Sequence, residues 1–100
     1  MMRFDAFKTS LAAEAPPDGL TPPLTALWWA GRGDWSRAHE VVQAHEGERD
    51  CDLVHAHLHR QEGDMANARY WYRNSGSPLP EVSLDAEWEA LVAQFCRQSG

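Results

Sequence analysis

Two stretches of the chain share the pattern that decides its fold: RGDWSRAHEVV at positions 32–42 and EGDMANARYWY at positions 62–72. Each stretch has a Gly-Asp pair, then an alanine, then a large side chain, Val42 or Tyr72, at helical spacing. Glycine commonly ends a helix in the left-handed conformation, and aspartate commonly caps the start of the next helix. The two stretches therefore predict two antiparallel helical hairpins, offset by 30 residues along the chain.

Alanine occupies matching positions on both sides of each predicted turn. Ala26 and Ala56 precede the two glycines by seven residues, and Ala38 and Ala68 follow them by five. The distance between two packed helices depends on the size of the side chains where they cross, so alanines allow a close approach. We therefore expect Ala38 and Ala68 to lie at equivalent tight crossings in the two hairpins.

Helical periodicity extends over most of the remaining sequence. No run alternates with period two for long enough to predict a strand, whereas apolar residues recur at spacings of three and four. We predict an all-α fold of about six helices, in a single domain over residues 1–100. Residues 20–80 contain the two hairpins, and residues 1–14 and 83–98 form flanking helices, the first of them over 3–14.

Polar residues mark the expected starts of three helices. The side-chain oxygens of serine, threonine and aspartate accept hydrogen bonds from the free N–H groups of a first helical turn. Thr21, which precedes two prolines, is expected to cap the second helix. Asp50 is expected to open the fourth helix, and Ser83 is expected to cap the sixth.

The composition argues against several classes of protein. The chain is 43% hydrophobic with a net charge of −6, which fits a folded protein and argues against binding to nucleic acid phosphates. No apolar stretch reaches about 18 residues, so we expect no association with a membrane. Two cysteines are too few for a disulfide framework, and the charged N-terminus does not resemble a signal peptide. These features indicate a cytoplasmic protein.

The order of small residue, Gly-Asp turn, alanine, aromatic residue and proline resembles the tetratricopeptide-type helical repeat. The second unit matches at five positions: Ala56, Gly63, Ala68, Tyr72 and Pro80. The first unit departs at Asp50, where the closing proline would stand, and the 30-residue spacing is shorter than the usual spacing of about 34. The resemblance implies stacked helix pairs that serve as a scaffold. Residues 62–72 also resemble a segment of bacterial and fungal helical-repeat proteins, which implies no activity.

The first functional hypothesis is a non-catalytic protein-interaction or scaffold module. Its candidate residues for binding a protein or peptide partner are Trp29, Arg69, Tyr70, Trp71 and Arg73, because adjacent aromatic residues cannot all face one core. The alternative for Trp29 and Trp71 is burial between stacked helices. Two repeats are fewer than the three that usually suffice, so we expect the flanking helices to cap them or a homodimer to bury the remaining apolar surface.

The alternative hypothesis is a small metal- or ligand-binding protein. His55 and His59 are four residues apart, so they project from one side of a helix, and Glu62 lies three residues beyond. Two imidazoles and a carboxylate at this spacing could hold zinc or another divalent ion. His39 or Glu40 would supply a further ligand if the hairpins stack suitably. Hydrogen-bonded histidines without a metal are the simpler interpretation of the same pattern.

Other polar residues are expected to have no chemical role. His57 is predicted to point away from the apolar stripe into solvent, and Glu87 and Glu89 are predicted to be solvated on opposite faces of the last helix. Cys51 lies in an apolar stripe, so it is expected to be an inert core thiol despite its spacing from His55. The sequence offers no complete catalytic set, and we predict no catalytic residue and no cofactor other than the alternative metal.

Overall fold

The computed structural model describes residues 3–98, so the first two and last two residues of the predicted domain lie outside the described part. Within that part the chain forms six helices and no strand, which confirms the predicted all-α class. The helices are α1 (Phe4–Ser10), α2 (Pro22–Gly31), α3 (Trp35–Gln43), α4 (Arg49–Gln61), α5 (Met65–Asn74) and α6 (Leu84–Gln98).

The α2–α3 and α4–α5 turns have the same local geometry. Gly33 and Gly63 adopt φ values of 81° and 84°, the left-handed conformation that glycine reaches without steric cost. The carboxylates of Asp34 and Asp64 each accept a hydrogen bond from the backbone N–H three residues later, at 3.1 and 3.2 Å. Both aspartates therefore cap helices as their positions predict.

The four alanines that flank these turns are all fully buried: Ala26, Ala38, Ala56 and Ala68. Helix α2 packs against α3, and α4 packs against α5. Burial of all four methyl groups agrees with the expectation that small side chains lie where the paired helices meet.

The main apolar core lies between the first hairpin, α4 and the two flanking helices. Its fully buried members include Phe7, Leu27, Trp28, Val54 and Val92. Helix α6 packs on both α2 and α4 and so covers the side of α4 that α3 and α5 leave open. As a result α4 has neighbours around most of its circumference, and almost every residue from 51 to 59 is buried.

Helix α1 ends at Ser10, four residues before the predicted end at 14. The Ser10 hydroxyl donates to the Phe7 carbonyl at 2.6 Å and accepts a hydrogen bond from the Trp28 indole at 3.0 Å. Residues 12–15 are exposed, so a longer helix would bury no further apolar surface. Helices this short depend on tertiary packing, and the packing ends near Leu11.

The predicted starts of the other helices are partly correct. The Ser83 hydroxyl accepts a hydrogen bond from the Ala86 N–H at 3.1 Å, which confirms Ser83 as the cap of α6. Thr21 stands at the N-cap position of α2, but it contributes its carbonyl, which accepts from the Thr25 hydroxyl, rather than its side chain. Helix α4 begins at Arg49, so Asp50 lies in the first turn rather than at the cap.

In the described residues, no helix combines the length and the apolar character that a bilayer crossing requires.

Candidate functional site

Three imidazole rings meet between α3 and α4. His39 comes from α3, and His55 and His59 come from successive turns of α4, where their rings stack with centroids 4.9 Å apart. The Nε2 atoms of His39 and His55 are 3.1 Å apart, so one of these rings donates a hydrogen bond to the other. One nitrogen of each of the three rings lies within 4.8 Å of the other two. We call these three residues the histidine cluster.

Two tryptophans hold the rings of the histidine cluster in place. Trp35, one turn before His39 on α3, stacks on that ring at 4.7 Å with an interplanar angle of 9°. Trp71 of α5 stacks on His55 at 4.0 Å and 15°. The Trp35 indole also donates to the Leu58 carbonyl of α4 at 2.8 Å, which ties α3 to α4 beside the cluster. Ring stacking therefore sets the orientations of His39, against α3, and of His55, against α5.

A carboxylate fixes the third ring. Nδ1 of His59 lies 2.6 Å from Oε1 of Glu62, and because a carboxylate only accepts, the imidazole donates from Nδ1. In the neutral ring this leaves the lone pair on Nε2. Histidines that bind metals in proteins commonly have this arrangement, in which a carboxylate orients the ring and makes its free nitrogen more basic.

The surroundings of the cluster keep two of its rings uncharged. Burial, assisted by the neighbouring His39 and His59, lowers the pKa of His55 to about 4. Burial and the nearby His59 also lower the pKa of His39, although Glu62, Glu46 and Glu40 act in the opposite direction. Near neutral pH these rings therefore carry a lone pair on one nitrogen, the form that can bind a metal ion.

Nδ1 of His55 is the one buried side-chain nitrogen or oxygen in residues 3–98 that has no hydrogen-bond partner. The ring is only 2% exposed, so it has little contact with bulk solvent. Most buried polar atoms in folded proteins are paired, because an unpaired one destabilises the fold by about 1–3 kcal/mol.

Asp64 joins His59 and Glu62 in a second group of possible ligand atoms, again within 4.8 Å of one another. Its carboxylate is already occupied, because it accepts from both the backbone N–H and the side-chain amide of Asn67, at 3.2 and 2.7 Å. These hydrogen bonds lower the pKa of Asp64. Asp64 is accordingly a helix cap, and the group with the better ligand geometry is the histidine cluster.

The structure brings together the three residues predicted for the metal alternative, but in different roles. His55 and His59 lie in the histidine cluster, whereas Glu62 binds the outer nitrogen of His59. His39 completes the cluster; the sequence offered it only on condition that the hairpins stack suitably. Trp35 was not identified as a site residue, although its i, i+4 spacing from His39 was a usable signal.

Four of the five residues predicted to bind a partner lie on α5, and the fifth, Trp29, lies on α2. Trp29 packs against the main core, edge-on to Trp28 at 5.0 Å, with the Arg37 guanidinium 4.5 Å above its ring. Trp71 packs against a separate small cluster and stacks on His55. Tyr70 is 48% exposed and meets Trp71 edge-on at 5.0 Å. The two remaining candidates, Arg69 and Arg73, are exposed on the same helix.

The prediction that His57 and Glu87 are solvated is wrong. His57 is 1% exposed and Glu87 is 5% exposed, and His57 Nδ1 donates to the Glu87 carboxylate at 2.7 Å. Arg60 and the Tyr72 hydroxyl donate to the same carboxylate at 3.0 and 2.6 Å. Helix α6 covers this side of α4. Spacing along the sequence could not reveal this contact, because His57 and Glu87 are 30 residues apart. We call these four residues the Glu87 network.

The pKa values of Glu87, Tyr72 and Cys51 shift in the directions expected of groups that stabilise the fold. Burial tends to raise the pKa of Glu87, but hydrogen bonds from His57 and Tyr72 outweigh it and hold the pKa below its usual value. Burial and the Glu87 carboxylate raise the pKa of Tyr72. Burial raises the pKa of Cys51 to about 12, which agrees with the expected inert thiol. Glu89 is exposed as predicted and pairs with Lys8.

Comparison of the chain with protein-family models, with curated proteins and with solved structures finds no match. What the site can do therefore follows from its own geometry and chemistry. Imidazole nitrogens are preferred ligands of zinc, copper, nickel and iron, whereas calcium and magnesium prefer oxygen. Three such nitrogens close together form a donor set for a divalent transition metal ion.

Proposed function

We propose that this protein binds a divalent transition metal ion, with zinc as the first choice, through His39, His55 and His59. The observation that carries the proposal is the spacing of the three ring nitrogens, two of them 3.1 Å apart and all within 4.8 Å. A tetrahedral zinc ion with Zn–N bonds of about 2.0–2.1 Å separates its ligand nitrogens by about 3.3 Å. Two of the rings are thus already near ligand spacing, and a nitrogen of the third lies within 4.8 Å of both.

Glu62 is proposed to position His59 rather than to contact the ion. The 2.6 Å hydrogen bond to Nδ1 of His59 selects the form in which Nε2 is free to bind. Together with Glu40 and Glu46, which act electrostatically on His39, Glu62 also makes the surroundings of the cluster negative. A divalent cation is attracted to such a site. Because the three imidazole ligands are neutral, these carboxylates balance the charge of the ion.

We further propose that α2–α3 and α4–α5 are two units of a tetratricopeptide-like repeat. The matching turns at Gly33 and Gly63 and the four buried alanines support this relationship. The histidine cluster then lies where the second helix of one unit meets the first helix of the next. In this arrangement the repeat is a scaffold that brings His39 to a pair of histidines from the neighbouring unit.

The proposal is tested by titrating zinc into the full chain after a chelator has stripped it of metal, with calorimetry as the readout. We expect one zinc ion per chain, and we expect His39→Ala and His55→Ala each to weaken binding by about 100-fold or more. His45→Ala is the matched control, because His45 lies outside the cluster and pairs with Glu48 at the surface. A chain that binds no zinc, or a His39→Ala variant that binds it unchanged, would contradict the proposal.

The second candidate function is the protein-interaction module, which one observation favours. Tyr70 is 48% exposed between the exposed Arg69 and the half-buried Trp71, and Leu79 and Val82 are exposed farther along the chain. Tyrosine, tryptophan and arginine dominate the energetic centres of protein interfaces. We propose a homodimer through this surface as its simplest form.

Sedimentation velocity over a range of protein concentrations tests the homodimer. Self-association that increases with concentration and is lost in Tyr70→Ser would support it, with Gln43→Ser, at an exposed position of α3, as a control. A chain that remains monomeric at every concentration would rule the homodimer out.

A further inference from the structure

The histidine cluster offers three donors, whereas a tetrahedral ion has four positions. Resting on the metal site proposed above, we infer that the fourth position is open to solution and takes a small uncharged ligand. Water occupies it at rest, and an imidazole-type heterocycle displaces that water. Structural zinc sites are closed by four protein ligands, and open sites retain a position for an external molecule. The histidine cluster is thus a site of the open kind.

One carboxylate oxygen of Glu62 and both of Asp64 already accept hydrogen bonds. Oε1 of Glu62 accepts a hydrogen bond from Nδ1 of His59. The free nitrogen of that ring, Nε2, is the one proposed to bind the metal. The Asp64 carboxylate accepts two hydrogen bonds from Asn67 as the cap of α5. Within the described residues, the group of ligand atoms around His39 and His55 contains only the three histidines. The chain therefore presents three of the four ligands.

External molecules reach the cluster from the side of α3. His39 is half-buried, whereas His55 and His59 are buried, so the open face of the cluster lies at His39. Trp35, itself half-buried, stacks on His39 with an interplanar angle of 9°. An indole ring therefore lies beside the open face of the cluster, and flat heterocycles gain contact area against such rings.

Charge decides between an uncharged ligand and an anion. Carboxylate oxygens of Glu62 and Asp64 lie within 4.8 Å of a ring nitrogen of His59. They attract the metal ion, but they repel an anion that approaches it. Exchange of water for imidazole changes no charge and involves no electron transfer: one metal–oxygen bond breaks as one metal–nitrogen bond forms. An uncharged nitrogen ligand is accordingly preferred to azide.

Cobalt(II) provides the test, because its visible absorption changes with the identity and number of its ligands. The full chain is loaded with one equivalent of Co(II) and titrated separately with imidazole and with azide. We expect a saturable spectral change with imidazole and an apparent affinity for azide at least about tenfold lower. The His45→Ala variant is expected to respond in the same way, because its substitution lies outside the cluster.

The outcomes separate this inference from the proposed function. Co(II) that binds but gives a spectrum insensitive to both ligands overturns the inference and leaves the metal site standing. Azide that binds more tightly than imidazole overturns the assigned ligand class. Failure of the chain to bind Co(II) at all overturns the proposed function, and the inference with it.

The Glu62→Gln variant tests whether Glu62 itself occupies the fourth position on the metal. If Glu62 filled that position, the wild-type protein would ignore imidazole and the variant would respond to it, which would overturn the inference. We expect both proteins to respond, with Co(II) affinity lowered by about 10- to 100-fold in Glu62→Gln, as loss of a carboxylate that orients a ligand predicts. Glutamine has nearly the same size as glutamate, so we expect the variant to fold like the wild-type protein.

Discussion

The two sides of α4 use histidine in opposite ways. On the side facing α6, His57 donates to Glu87, and that carboxylate also binds Arg60 and Tyr72. On the side facing α3, His55 packs against two other imidazoles and leaves Nδ1 without a partner. A buried polar network with every member paired stabilises a fold, whereas one with an unpaired member does not. One side of the helix thus holds a fully paired polar network, and the other holds the proposed metal ligands.

The largest effect is expected from Glu87→Gln. The substitution removes the negative charge that Arg60, His57 and Tyr72 share in a buried site, and loss of one partner from such a group costs about 3–5 kcal/mol. Urea denaturation should show a decrease in the free energy of unfolding near 3 kcal/mol or more. Glu89→Gln, at an exposed position of the same helix, should cost less than about 1 kcal/mol. Equal losses in the two variants would contradict the assigned role of the Glu87 network.

Zinc is expected to stabilise the wild-type protein and not a variant of the cluster. At a free zinc concentration about 100 times the dissociation constant, binding adds about 2.7 kcal/mol to the free energy of unfolding. The His55→Phe variant should gain nothing measurable, because it lacks one of the three ligands. Urea denaturation with and without zinc measures both values. Stabilisation of His55→Phe to the wild-type extent would mean that the ion binds elsewhere.

Phenylalanine substitutions at the two buried histidines are expected to differ in the absence of metal. His57→Phe removes a donor to a buried carboxylate and should lower the free energy of unfolding by about 2 kcal/mol. His55→Phe removes an unpaired polar atom and keeps a ring to stack on Trp71, so its effect should stay within about 1 kcal/mol. If His55→Phe proved the more damaging of the two, the contrast between the sides of α4 would be reversed.

The smallest effect is the dependence of stability on pH through Glu87. Its pKa is lower in the folded protein than in the unfolded chain, because hydrogen bonds from His57, Tyr72 and Arg60 outweigh burial. Its contribution is therefore present above the unfolded pKa of about 4.3 and is lost as the pH falls through the folded pKa. Urea denaturation between about pH 6 and pH 3 should show a steeper loss in the wild-type protein than in Glu87→Gln. Parallel curves would exclude Glu87 as the group responsible.

Local signals account for what the sequence predicted correctly. The Gly-Asp pairs at Gly33 and Gly63 determine the turns because their effect depends only on the backbone and on the next few residues. The i, i+4 spacing of His55 and His59 places both rings on one side of a helix whatever surrounds that helix. These parts of the fold and of the site required no knowledge of tertiary packing.

Tertiary packing accounts for what the sequence missed. The prediction for His57 assumed that α4 has one buried face and one solvated face, but α6 covers the second face and removes the usual periodicity. His39 joins the cluster because α3 packs against α4 across the boundary between the hairpins, which no spacing along the chain encodes. The early end of α1 likewise depends on contacts of Ser10 with Trp28.

X-ray absorption spectroscopy of the zinc-loaded protein is the most direct test of the histidine cluster as a metal site. Three imidazole ligands should give nitrogen scattering at about 2.0–2.1 Å, with the outer-shell pattern of imidazole rings and one further light atom. Sulfur scattering at about 2.3 Å would show that zinc binds a cysteine thiolate instead and would contradict the account.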